Sequence, residues 1–174
     1  MTYRKGNAMA EDLTDTAGPD RASTAELSAA PASPPGYELM DEIGRGGMGV
    51  VYSARDVALD RDVAVKLLSE RYAADSPAAQ RFLSEARITG QLQHPGIPAV
   101  HQVGALADGR PFLAMKLIKG STLEAILKQL GTELIPFYAA AERGRLLAIF
   151  ETVCQAVGYA HAHRVIHRDL KPAN

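Results

Sequence analysis

Between Ile43 and Lys66 the chain reads IGRGGMGVVYSARDVALDRDVAVK, and this stretch limits the possible folds more than any other. Gly44, Gly46 and Gly49 stand at G-x-G-x-x-G spacing, and Gly47 adds a fourth glycine. Without Cβ atoms, such a loop can bring backbone N–H groups close to phosphate oxygens. Alone the pattern is weak, because a glycine-rich hairpin that binds nothing has the same spacing. The residues after it discriminate. A dinucleotide-binding βαβ unit needs a helix to open straight after the last glycine. Here Val50, Val51 and Tyr52 follow, β-branched and aromatic residues that favour strand. No Gly-Lys-Ser/Thr follows the glycines, which excludes a Walker A loop. A turn-like Leu59-Asp60-Arg61 leads into Val63-Ala64-Val65 and Lys66. The expected unit is strand, glycine loop, strand, turn, strand: an antiparallel meander closing over a ligand.

The remaining text extends that unit. Residues 1–36 are rich in Ala, Pro, Ser, Thr and acidic side chains, too poor in large apolar groups to offset their ordering entropy, and are expected to be disordered. Tyr37 to Ile43 alternates apolar and polar residues like a half-buried first strand. After a polar connection from Ser69 to Asp75, a helix capped by Asp75 or Ser76, with Pro77 in its first turn, should run to about Leu92. Its apolar stripe is Phe82, Ala86, Thr89 and Leu92, with Glu85 at the border. Two short strands, Ala99 to Val103 and Phe112 to Leu117, flank an Ala107-Asp108-Gly109-Arg110 turn. A helix capped by Ser121 or Thr122 follows. Past a less defined connection, Gly131 to Arg143, a long helix should run from about Gly144 or Arg145 to His163. Its apolar residues cover more than one face, so it needs neighbours on several sides.

Composition bounds the partners. At 174 residues with net charge −1, the chain can build a sizeable core and carries no basic excess for nucleic acid or anionic membrane. The single cysteine, Cys154, excludes a disulfide framework and suits a reducing compartment. Its apolar helical setting suggests a buried, inert thiol. No apolar leader opens the chain. The most apolar stretch, Leu146 to Ala160, is broken by Glu151 and Gln155 and falls short of the ~20 apolar residues of a membrane span. A soluble, cytoplasmic chain is expected, with a membrane anchor beyond Asn174 left open.

Gly44-x-Gly46-x-x-Gly49-x-Val51 with Ala64-Val65-Lys66, and then Val165-Ile166-His167-Arg168-Asp169-Leu170-Lys171-Pro172-Ala173-Asn174, resemble the protein kinases. In that family a glycine loop, a strand lysine and an H-R-D-L-x-x-x-N catalytic loop occur in this order. Gly46 to Tyr52 looks particularly like the bacterial members, and Lys171-Pro172-x-Asn174 resembles the serine/threonine class. The resemblance implies an α+β, protein-kinase-like fold. A five-stranded antiparallel N-lobe with one helix, residues 37–118, would bind nucleotide. Residues 119–174 would begin a mainly helical C-lobe.

It also implies roles. The loop residues Ile43, Gly44, Arg45, Gly46, Gly47, Met48 and Gly49, with Val51 and Ala64, would cover ATP. Lys66 would reach its α- and β-phosphates, oriented by an ion pair with Glu85. Met115 would occupy the gatekeeper position, and main-chain groups of Lys116 and Ile118 would face the adenine edge. Lys116 stands where the family usually has an acidic residue. Asp169 would accept the proton of a Ser/Thr hydroxyl on a protein substrate, Lys171 would sit beside the migrating phosphoryl group, and Asn174 would ligate Mg²⁺. His167 would pack beneath the loop, and Arg168 resembles those that grip an activation-loop phosphate. An Asp-Phe-Gly aspartate is expected roughly 20 residues past Asn174 by the resemblance. As given, the chain would therefore be an inactive, poorly folded fragment of a kinase. A truncated pseudokinase serving as a nucleotide-binding or interaction module is the alternative reading, and a scaffold without nucleotide has little use for Lys66 and the glycines.

Overall fold

A computed structural model describes residues 31–132 and 140–173. The tail expected to be disordered, residues 1–36, therefore lies largely outside the described residues. Just before Tyr37, Pro34 is fully buried, and the Gly36 carbonyl accepts the Val57 N–H at 3.0 Å.

Five strands form one antiparallel sheet in the order β1-β2-β3-β5-β4. They are β1 (Tyr37–Arg45), β2 (Gly49–Asp56), β3 (Arg61–Leu68), β4 (Val100–Ala105) and β5 (Pro111–Lys116). The central strand β3 is buried almost throughout, at Val63, Ala64, Val65, Leu67 and Leu68. A strand covered on both faces reads as a continuous apolar run, which is why VAV precedes Lys66 without alternation. On one face Val63, Val65 and Leu67 pack with Ala54, Tyr37, Leu106, Phe112 and Ala114. On the other, Leu68 and Leu113 pack against Ala78, Ala79, Phe82 and Ala86 of the helix α1 (Pro77–Gly90).

Ser76 caps α1, its Oγ accepting the Ala79 N–H at 3.2 Å, with Pro77 in the first turn. Ser76 rather than Asp75 thus meets one of the orphan N–H groups of the helix start. Thr122 does the same for α2 (Leu123–Thr132), accepting from Ala125 at 3.2 Å. The third helix, α3 (Ala140–Ala162), starts earlier than its apolar pattern suggested. The middle of the expected Gly131–Arg143 connection lies outside the described residues.

Two expectations about α3 fare differently. The need for further neighbours is visible, since Leu147 and Phe150 are 67% and 65% exposed. Cys154, however, is exposed rather than buried. Cys154 lies four residues past Phe150, about one turn along the same uncovered face. No helix among the described residues is long and apolar enough to cross a membrane.

Candidate active site

The sheet register assembles the strand residues of the site. Val51 pairs with Lys66, Lys66 with Leu113, and Ala64 with Met115. Residues directly opposite in an antiparallel pair share a face. Side chains alternate along a strand, so Ala64 and Lys66 lie on the same side as Leu68. Val51, Ala64, Lys66 and Met115 therefore stand together on the face that α1 covers.

The glycine loop joins β1 to β2 above them. Its base is closed by the Gly46 N–H on the Gly49 carbonyl at 2.9 Å, and Gly44 pairs with Val51. The four glycines are not equivalent. A Cβ on Gly49 would stand 2.1 Å from the Leu67 carbonyl oxygen, so β2 and β3 can pair there only with glycine. Cβ atoms on Gly46 or Gly47 would meet nothing within 4 Å. Those two leave the tip open on the side where a ligand could enter. Ile43 and Arg45 are exposed, Ile43 at an irregularity of the β1–β2 register between Glu42 and Gly44. Arg45 is held by Glu42, its guanidinium donating to the carboxylate at 2.5 and 2.9 Å. Met48 is half-buried.

Lys66 is half-buried, and its Nζ lies 5.4 Å from the centroid of the Phe82 ring. No ion pair joins it to Glu85, which is exposed on α1. The structure therefore departs from the expected Lys66–Glu85 pairing. Phe82, three residues earlier, turns inward to the core with Ala86, and Glu85 sits a further 60° or so around the helix, toward solvent. A cation over an aromatic face is itself favourable. Phe82 is the site residue that sequence reading treated as core alone; its place on the inward stripe opposite the lysine strand was the available signal.

At the far end of β5 the Lys116 N–H donates to the Ala99 carbonyl at 2.9 Å, so that N–H is already engaged. Ile118 is 63% exposed just beyond. Lys119 then reaches back to Asp62 at 3.1 Å, tying the departing chain to β3.

The catalytic-loop text follows α3 through a left-handed turn. Arg164 has φ of 62°, its N–H donates to His161 O at 2.8 Å, and the Val165 N–H donates to Ala160 O at 2.9 Å. This is the Schellman pattern, which satisfies terminal carbonyls while redirecting the chain. Asp169 is exposed, and Lys171 Nζ donates to both its carboxylate oxygens at 3.1 and 2.8 Å. His167 is also exposed rather than packed beneath the loop. It shapes the loop instead, its Nδ1 accepting the Asp169 N–H at 3.3 Å. Arg168 has φ of 66°, the second left-handed residue in this turn. The Pro172 carbonyl accepts the Glu124 N–H at 2.8 Å, seating the loop on the first turn of α2. Asn174 lies outside the described residues. Among the described residues no group of three His, Cys, Asp or Glu side chains could hold a metal ion.

A protein kinase domain model matches residues 37–174. The chain is 39% identical over 138 residues to the serine/threonine-protein kinase PknH of Mycobacterium tuberculosis, covering 79% of this chain and 21% of that protein. It is 39% identical over 142 residues to PknD of Chlamydia trachomatis, covering 79% and 15%. Among solved structures it resembles the M. tuberculosis PknI kinase domain, with TM-score 0.61 and 30% identity over 80% of this chain and 54% of that one. The apo form of PpkA-294, at TM-score 0.65 and 23% identity, covers 84% of this chain and 56% of its own, and supports the fold alone. The chain spans about a fifth of the length of the mycobacterial PknH relative and about half of these solved kinase chains. With its sheet, glycine loop, strand lysine and H-R-D-L-K-P-A-N text, the chain belongs to the protein kinase family, beside bacterial serine/threonine kinases.

Proposed function

We propose that this chain carries the nucleotide-binding and catalytic-loop residues of a bacterial serine/threonine protein kinase. In this reading residues 37–118 form the nucleotide-binding lobe and residues 119–174 begin the C-lobe. The observation that carries it is the common face of Val51, Ala64, Lys66 and Met115 beneath an open glycine tip. Lys66 suits a phosphate because it is half-buried and has no carboxylate partner among the described residues. ATP, when bound, supplies the phosphoryl group to be transferred. Glycine-loop N–H groups would face its phosphates, and Lys66 would place a cation beside them. Small Ala64 leaves room for the base, with Met115 behind it and main-chain groups of Lys116 and Ile118 along its edge.

Asp169 would take the proton of a Ser/Thr hydroxyl on a protein substrate, its carboxylate oxygens being the acceptors that the role requires. Lys171, already on that carboxylate, would neutralise charge as the phosphoryl group moves. Mg²⁺ generally accompanies ATP in this family. The described residues alone do not complete a site for it. A reducing, ATP-supplied compartment, the cytoplasm, suits this chemistry.

The test is binding of a fluorescent ATP analogue by the chain, in the wild type and in Lys66→Met. Saturable binding that weakens at least tenfold in the variant supports the reading. Equal affinity in both removes Lys66 from the site.

A further inference from the structure

We propose that Arg71 is a positioning residue that holds the tip of the glycine loop; its purpose, though not its geometry, rests on the kinase reading. The loop needs such a hold. Glycine loses more backbone freedom on ordering than any other residue, and four glycines fall between positions 44 and 49. On the side where Cβ atoms would project, Gly46 and Gly47 meet nothing within 4 Å.

The contacts come from the segment just after β3. The Ser69 N–H donates to the Met48 carbonyl at 3.0 Å. The Arg71 guanidinium donates to the Gly47 carbonyl, and the Tyr72 hydroxyl reaches the same oxygen at 3.4 Å. Arg71 in turn lies over the Tyr72 ring, 4.8 Å from its centroid. That ring is itself packed against the Leu68–Phe82 cluster. The tip is thus linked through one carbonyl to the core beneath α1. Among the described residues Arg71 makes no ion pair, so its charge is directed at the loop.

The chemistry follows from one peptide plane. In a trans peptide the C=O and N–H point in opposite directions. Turning the Gly47 carbonyl to Arg71 turns the Met48 N–H away from it. A cation on the carbonyl also polarises that peptide and makes its N–H a better donor. Arg71 would therefore present the loop to an anion already ordered, so that less ordering falls on the nucleotide. Because Arg71 is exposed, the effect should be modest, about three- to tenfold in affinity.

The test uses the full chain and three variants: Arg71→Ala, Arg71→Lys and Tyr72→Phe. Backbone NMR order parameters are measured without nucleotide, and dissociation constants with a fluorescent ATP analogue. In Arg71→Ala the order parameters of Gly46 to Gly49 should fall while those of β3 and β5 hold, and the dissociation constant should rise about three- to tenfold. Arg71→Lys should recover part of both, and Tyr72→Phe should lose less than Arg71→Ala. Unchanged loop order in Arg71→Ala, or an equal fall in β3, overturns the proposal. So does a looser loop with unchanged affinity. A wild-type chain that binds no ATP analogue sinks the nucleotide-binding reading instead, while the order parameters still decide whether Arg71 holds the loop.

Discussion

The Lys66 ammonium lies 5.4 Å from the centroid of the Phe82 ring, where a glutamate was expected to meet it. In this arrangement the Glu85 side chain makes no hydrogen bond or ion pair among the described residues. Glu85→Gln should therefore leave the nucleotide-free melting temperature unchanged to within about 1 °C, as exposed substitutions do. If the Lys66–Glu85 pair forms only during turnover, the same variant should lower phosphotransfer in a kinase-competent protein containing residues 37–174. A melting temperature several degrees lower would mean that the pair exists without nucleotide.

Phe82 has a second duty, because it is 2% exposed at the centre of the α1 cluster. Phe82→Ala should cost about 3–5 kcal/mol by lost transfer energy and cavity formation. That is a large part of the ~5–15 kcal/mol that holds a typical domain. Phe82→Leu should retain most of the stability while removing the ring beneath Lys66. Urea denaturation of the two variants separates packing from the cation–ring contact.

Among the loop glycines, Gly49 should be the intolerant one. An added methyl would collide with the Leu67 carbonyl at 2.1 Å, and relieving that collision must part β2 from β3. Gly49→Ala should destabilise by about 1–3 kcal/mol, the usual cost of forcing extra volume into a packed site. Gly46→Ala and Gly47→Ala have open space and should melt within about 1–2 °C of wild type. Thermal unfolding of the three variants checks the contrast.

These relationships mark where sequence reading reached and where it stopped. The β1-β2-β3 meander was legible because the VAV run, the turn at Leu59-Asp60-Arg61 and the strand-forming residues after Gly49 are local signals, whereas the pairing of β3 with β5 rather than β4 is non-local and was not. The H-R-D-L-x-x-x-N text was legible because its residue types are set by chemistry at fixed spacing. The side-chain direction of Glu85 was not, since a residue at the edge of a helical stripe can turn either way, and burial of Phe82 decided it. Arg71 carried no signal at all: it lies in a polar connection, and its partner is a backbone carbonyl 24 residues away. Cys154 misled because an apolar helical pattern does not say which face a neighbour covers.

The β4–β5 turn gives a pH prediction. The Asp108 carboxyl is held below its ordinary value, first by the Arg110 backbone N–H at 3.0 Å and then by its side chain at 2.6 Å. The same guanidinium donates to the Leu68 carbonyl at 2.9 Å, anchoring the turn to the end of β3. A carboxyl with a depressed folded pKa adds stability above its unfolded pKa, near 3.9, and loses it as pH falls through the folded value. Wild type should therefore be more stable than Asp108→Asn at neutral pH, and the gap should narrow below about pH 4. Melting curves from pH 7 to about pH 2.5 measure it. A gap that stays constant across that range would remove the carboxylate from the account.

The Asp169–Lys171 pair separates catalysis from binding. Lys171 Nζ reaches both Asp169 oxygens, yet both side chains are more than half exposed, at 68% and 51%. An exposed pair of this kind contributes little to stability, about 0–1 kcal/mol. Asp169→Asn should accordingly fold like the wild type. It should also bind nucleotide within about threefold, because in the proposed role the carboxylate would act on the substrate hydroxyl and not on the base or the glycine loop. Turnover is another matter, since the amide cannot accept the hydroxyl proton. In a kinase-competent protein containing residues 37–174 it should fall by about 10²–10⁴, the usual contribution of a positioned general base. Lys171→Met tests the partner: it keeps the Asp169 carboxylate but removes the ammonium that donates to it, so under the proposed roles turnover should fall. Equal losses of nucleotide affinity and turnover in Asp169→Asn would reassign the carboxylate to holding the loop, where its N–H already meets His167 Nδ1 at 3.3 Å.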